Sequence, residues 1–193
     1  SHMGTGTSSL TKLWARLLGV ENTLTTNGIS ALSGRFSVPF ALTKGVIVEE
    51  IEVNVKHSQW NTMKTFLTEK DGSGERKGVD IEKVTQCACV MLTSNNWPSW
   101  LEADERRVRL IDFGHDGHAS GPNADKFGLF MTRFHDWMED DANIACLYNA
   151  LKAREISDDF NPKALNVSRI DTPMMQQITR ASHSEPPRFY RRL

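Results

Sequence analysis

The sequence predicts an α/β domain, a mostly parallel sheet with helices on its faces, followed by a small helical part. Three observations carry that expectation. Val46-Ile47-Val48 is a continuous β-branched run without the in-out alternation of a half-wet strand, as in a parallel sheet covered on both sides, and Val90-Met91-Leu92 and Val108 to Phe113 read as further apolar strands. A stretch with helical periodicity lies between the first two. Each run ends in polar or charged residues, Glu49-Glu50, Asn95-Asn96 and Asp112, so chemistry is expected at one rim of the sheet.

Leu10, Leu13, Trp14, Leu17 and Leu18 form the stripe of a first helix, with Gly19 as its C-terminal stop and Ser8 and Ser9 available to its N-terminus. The turn GTGTSSL leads into it. A polar stretch, ENTLTTNGISALSG, follows and reaches the buried strand Val46 to Val48. In SQWNTMKTFLT, Trp60, Met63 and Leu67 mark a second helix. Glycines, charges and β-branched residues over TEKDGSGERKGVDIEKVTQ are spaced like a hairpin with a basic turn at Arg76-Lys77-Gly78. Val90 to Asn95 and Val108 to Phe113 are the next strands. The loop GHDGHASGPNA precedes a helix whose Phe127, Phe130, Met131, Phe134, Trp137 and Met138 share one face, read as core. Ile144, Leu147, Tyr148 and Leu151 mark a further helix. The expected division is a core over 4–124, a helical part over 125–180 and a tail over 181–193.

With 193 residues the chain supports one domain with a sizeable core. A net charge of −1 makes no general case for nucleic acid, so any basic surface is local, as at GERKG or PPRFYRRL. No apolar run approaches the roughly 20 residues of a membrane span. Ser1-His2-Met3 reads as an expression scar, because no apolar signal segment follows it. Three cysteines, with Cys87 and Cys89 one residue apart, do not make a disulfide framework and fit a reducing cytoplasm. Cys87, Cys89, His115 and His118 can be drawn as a zinc set, but Cys-x-Cys is not the usual knuckle spacing. Trp97 and Trp100 around Pro98 are expected to cap the sheet edge.

GTGTSSL has the form of a phosphate-binding loop, G-x-G-K-[ST], with Thr7 at the lysine position. Such a loop uses backbone amides to hold phosphates, a lysine for the terminal oxygens and a hydroxyl for Mg²⁺; acidic residues at a strand end support the metal and polarise water. Gly4, Gly6, Thr7, Ser8 and Ser9 are therefore the candidate nucleotide contacts, Ser8 and Glu49 the candidate Mg²⁺ ligands, and Glu50 the candidate for the attacking water. Asn95 is placed to sense a γ-phosphate, and Arg106 or Arg107 to reach a neighbouring subunit's nucleotide.

Taken in order, GTGTSSL, LSGRF, KGVIVEE, MKTFLTEKDGSGERKGVD, VMLTSNNW and EADERRVRLIDF resemble a superfamily 3 helicase domain of phage and plasmid primase-helicase proteins, related to the poxvirus-type primase-helicases. The likeness runs from about Gly4 to Phe113 and is weaker over FNPKAL. It implies an AAA+-like P-loop ATPase that uses ATP and Mg²⁺, assembles as a hexameric ring, and moves along single-stranded DNA in a bacterial host's cytoplasm, with a primase domain fused upstream. Arg76 and Lys77 would contact DNA from the hairpin. Two departures are plain: Thr7 carries no charge, and no strand precedes the loop. The expectation is thus a helicase motor impaired in hydrolysis, inside a longer protein or shortened from one. The alternative is a non-catalytic P-loop module for DNA binding or assembly.

Overall fold

The computed structural model describes residues 4–32, 42–51, 55, 57–68, 71–74, 82–85, 88–96, 101, 107–158, 160, 173, 175–177 and 180. The chain opens with helix α1, Thr7–Leu18. Gly19, at φ 92, stops it, and its amide donates to the Arg16 carbonyl. A 3₁₀ turn over Val20–Asn22 then delivers strand β1, Thr23–Asn27. Strand β2 is Gly45–Glu49, helix α2 is His57–Thr68, and strands β3 (Asp71–Gly74) and β4 (Glu82–Thr85) form an antiparallel pair. Strand β5, Cys89–Leu92, completes a three-stranded parallel sheet in the order β1-β2-β5. Helices α3, Ala124–Glu139, and α4, Asp141–Lys152, follow.

The sheet is centred on β2, whose Val46, Ile47 and Val48 are buried, as expected of an apolar run with a parallel neighbour on each side. Val46 and Val48 share a core with Ile29, Leu32, Ile51, Trp60, Met63, Leu101 and Met175. Trp60 and Met63 come from α2, on the face that the sequence marks. On the other side α1 lies close over the start of β2. A Cβ at Gly45 would stand 2.6 Å from Leu18 Cδ1 and 3.0 Å from Trp14 Cη2, so glycine there sets how near α1 approaches. Because the three strands run the same way, their carboxyl ends share one rim.

Four expectations need correction. The polar stretch after α1 contains β1, which the pattern concealed because TLTTN has one large apolar residue; parallel pairing from Thr23↔Gly45 to Asn27↔Glu49 makes it a strand. β5 ends at Leu92; Thr93 still bonds to Val48 and Ile51, while Ser94 and Asn95 lie beyond the strand. Val108 to Phe113 is not a strand: Val108 and Leu110 pack on the core, but among the described residues no neighbouring strand offers that backbone a ladder, and Ile111 is exposed. The aromatic stripe of α3 is not core. Met138 is buried, whereas Phe130 is 56% exposed, and Phe127, Phe130, Phe134 and Trp137 stack on one another at centroid spacings of 6.0 to 6.2 Å. In α4, Ile144 is buried while Tyr148 and Leu151 are exposed. Among the described residues no helix is long and apolar enough to cross a membrane. The tips of the hairpin with Arg76 and Lys77, Cys87, Trp97, Trp100, Arg106 and the tail over 181–193 lie outside the described residues.

Candidate functional site

The glycine turn before α1 is built on two left-handed residues, Gly4 at φ 77 and Gly6 at φ 86, a conformation costing other L-residues about 1–2 kcal/mol each. Gly6 is the N-cap of α1, and its carbonyl accepts from the amides of Ser9 (3.0 Å) and Leu10 (3.1 Å). No side chain caps this helix. The expected service of Ser8 and Ser9 to the N-terminus is thereby corrected: Ser9, nearly buried, instead forms a hydrogen bond between its Oγ and His135 Nε2 on α3, 3.0 Å away. The first turn of α1, at the positive end of the helix dipole, thus carries no side-chain cap from its N-cap residue.

The loop after the third apolar run clamps the turn from outside. Gly117 donates its amide to His115 Nδ1 at 3.1 Å, which leaves Nε2 of that imidazole to donate to the Thr5 carbonyl at 3.2 Å. The His115 ring also sits against Phe127, with centroids 4.5 Å apart. Asn123 closes the loop at its base, donating its amide to the Asp116 carbonyl (3.1 Å) and its side chain to the Asp116 carboxylate (2.6 Å). Phe127 and Met131 on α3 meet Gly6 closely enough that a Cβ there would lie 3.3 Å from Phe127 Cζ and 3.5 Å from Met131 Sδ.

The rim of the sheet is joined to this turn. Past the end of β5, the Thr93 amide donates to the Val48 carbonyl at 2.9 Å, and Ile51 donates to the Thr93 carbonyl at 3.0 Å. Ser94 Oγ donates to the Ile51 carbonyl at 3.1 Å. Glu50, between Val48 and Ile51, is exposed and left-handed at φ 52, a conformation rare outside glycine and worth attention at a strand tip. Its neighbour Glu49 reaches α1: the single Thr11 hydroxyl proton is shared between Glu49 Oε1 (3.3 Å) and the Ser8 carbonyl (2.9 Å). Glu49, Glu50, Asn95 and the start of α1 are thus gathered at one end of the sheet.

Between these elements lies a cavity of about 500 Å³. Gly4 to Ser9 form one wall. Asn95 comes from the rim, Gly117 and Ala119 from the clamping loop, and Ala124, Phe127, Gly128, Met131 and His135 from α3. The glycine turn and Asn95, far apart in sequence, are brought together as expected. Glu49 and Glu50 stand outside the lining, and Arg107 is an exposed residue elsewhere. For a phosphate chain the donors fit: backbone amides of a helix start, the hydroxyls of Thr7 and Ser8, and an amide side chain, with no carboxylate in the wall. Of the two expected Mg²⁺ ligands, Ser8 lines the cavity, whereas Glu49 lies outside the lining and accepts from Thr11. Among the described residues no group of three or more His, Cys, Asp or Glu converges on a metal position. His115 is engaged with Thr5 and Gly117 in place of the zinc set that sequence spacing allows.

His115, His135 and Phe127 are site residues that the sequence did not single out as such. The only signal for His135 was its place on the stripe of α3, where an imidazole interrupts an aromatic series. Residues 1–107 match the family model described as a family of unknown function, DUF5906. No curated protein matches the sequence.

Proposed function

We propose that this chain, which belongs to the DUF5906 family, is the P-loop motor domain of a primase-helicase of the superfamily 3 type, acting in a bacterial cytoplasm on phage or plasmid DNA. The observation that supports the reading is the shared cavity: a glycine turn entering a helix, and Asn95 from the tip of a parallel strand, face the same 500 Å³ of space. In this reading ATP lies with its phosphates against Gly4 to Ser9. Ser8 and Glu49 hold Mg²⁺, Glu50 orients the attacking water, and Asn95 meets the γ-phosphate. Arg106 and Arg107 would act on the nucleotide of a neighbouring copy in a hexamer, and Arg76 and Lys77 would grip the backbone of single-stranded DNA, with a primase domain on the same polypeptide.

Thr7 supplies no charge where transition-state stabilisation is usually greatest, so turnover is impaired. That favours a second reading, a non-catalytic P-loop module that binds DNA or assembles without hydrolysis, and the position of Glu49 and Glu50 outside the cavity wall supports it too. The two separate in one experiment. Mg-ATP should raise the melting temperature, and Thr7→Lys should restore ATPase activity that Glu50→Gln abolishes. No thermal shift and no restored turnover would discard the motor; a shift without turnover in Thr7→Lys would leave the module.

A further inference from the structure

Among the described residues the cavity wall contains one titratable side chain, His135, and it is not on the glycine turn. Ala124, Gly128, Met131 and His135 are spaced so that they fall along one face of α3, and that face runs beside the turn in register. Gly4 approaches Ala119 just before the helix, Gly6 approaches Phe127 and Met131, and Ser9 meets His135. The imidazole therefore stands at the first turn of α1, beside Ser8 and Ser9, where the helix amides are uncapped. Among the described residues no Asp or Glu lines the cavity to compete for it. On its own helix, Asp136 is exposed and Glu139 is paired with Arg16 at 3.6 Å.

We propose that His135 is the phosphate-binding side chain that takes over the work of the lysine missing at Thr7. This rests on the reading of the cavity as a phosphate site, and it adds that the donor comes from α3 rather than from the loop itself. In the structure His135 Nε2 is occupied by Ser9 Oγ. A phosphate oxygen entering against the first turn of α1 exchanges that hydroxyl for a charged acceptor, to which the Nε2–H donates. The site would select short polyphosphates and nucleoside triphosphates, and α3 would be ordered against α1 by the ligand.

The test is isothermal titration of the full chain with inorganic tripolyphosphate. The wild type should bind, and His135→Gln should weaken binding by about tenfold or more, the loss of one hydrogen bond to a charged group. Adding Thr7→Lys to His135→Gln should restore affinity. Thermal melts establish that each variant is folded, with His135→Asn in reserve. Equal binding by the wild type and His135→Gln would overturn the proposal and leave the cavity a phosphate site. A wild type that binds no tripolyphosphate would end both. No rescue by Thr7→Lys would reduce His135 to holding Ser9 in place and overturn the proposal as well.

Discussion

Alanine at Gly6 tests whether the turn before α1 is held in the conformation that the cavity needs. At φ 86 the residue is left-handed, which costs an alanine about 1–2 kcal/mol. Its Cβ would lie 3.3 Å from Phe127 Cζ and 3.5 Å from Met131 Sδ, a tight fit that a ring edge and a flexible thioether can relieve by moving a few tenths of an ångström. Against this, alanine restricts the unfolded chain and returns roughly 0.4–1 kcal/mol. The balance is a loss of about 1 kcal/mol, or about 2–4 °C in melting temperature for a domain of this size. Gly128 is the control. It lies inside α3 with nothing within 4 Å of a built Cβ, so Gly128→Ala should gain about 0.5–1 kcal/mol. Both are read by urea unfolding followed through tryptophan fluorescence, at equal m-values. Should Gly6→Ala prove as stable as Gly128→Ala, the left-handed turn, and with it the aim of the amides into the cavity, would be wrong.

Three further outcomes follow from the same contacts. Gly45→Ala places a methyl between Leu18, Trp14 and Thr23, and should cost about 1–3 kcal/mol in urea unfolding by lifting α1 from β2. Thr11→Val keeps the shape of a residue that is 3% exposed but removes the hydroxyl shared by Glu49 and the Ser8 carbonyl; a loss of about 1 kcal/mol is expected, and its absence would detach the acidic rim from α1. Arg16→Ala breaks pairs with Asp141 (2.6 Å) and Glu139 (3.6 Å), whose acids are almost fully exposed, and should cost less than about 1 kcal/mol, falling further as salt is added.

How far the molecule could be read from its sequence depended on whether a residue's role was set by its neighbours in the chain. Val46 to Val48, and the helix from Leu10 to Leu18, are local patterns with one physical solution, and both stand as expected. β1 was hidden because TLTTN becomes a strand by pairing with β2, which no local pattern records. Val108 to Phe113 failed for the opposite reason: the run has strand chemistry, but the described residues provide no adjacent ladder. In α3 the periodicity correctly gave a helix and wrongly gave burial, since a stripe reports which residues share a face and not what covers it.

The cavity divides in the same way. Its glycine wall was legible, because two glycines before a helical stripe have few uses, and Gly4 and Gly6 do adopt the left-handed geometry that no other residue takes cheaply. Its far wall was not, because Ser9 and His135 are 126 positions apart and meet only when α3 lies beside α1. The missing lysine at Thr7 argued from sequence for a disabled loop. In the folded chain the same absence leaves the mouth of α1 to an imidazole from another helix. On the proposed reading, hydrolysis and phosphate binding need not fail together: binding would draw on the amides, the hydroxyls and His135, whereas turnover would also need Glu49, which meets Thr11 of α1, and Glu50, and neither enters the cavity wall. The behaviour that the proposal expects is a chain that holds triphosphate firmly and cleaves it poorly.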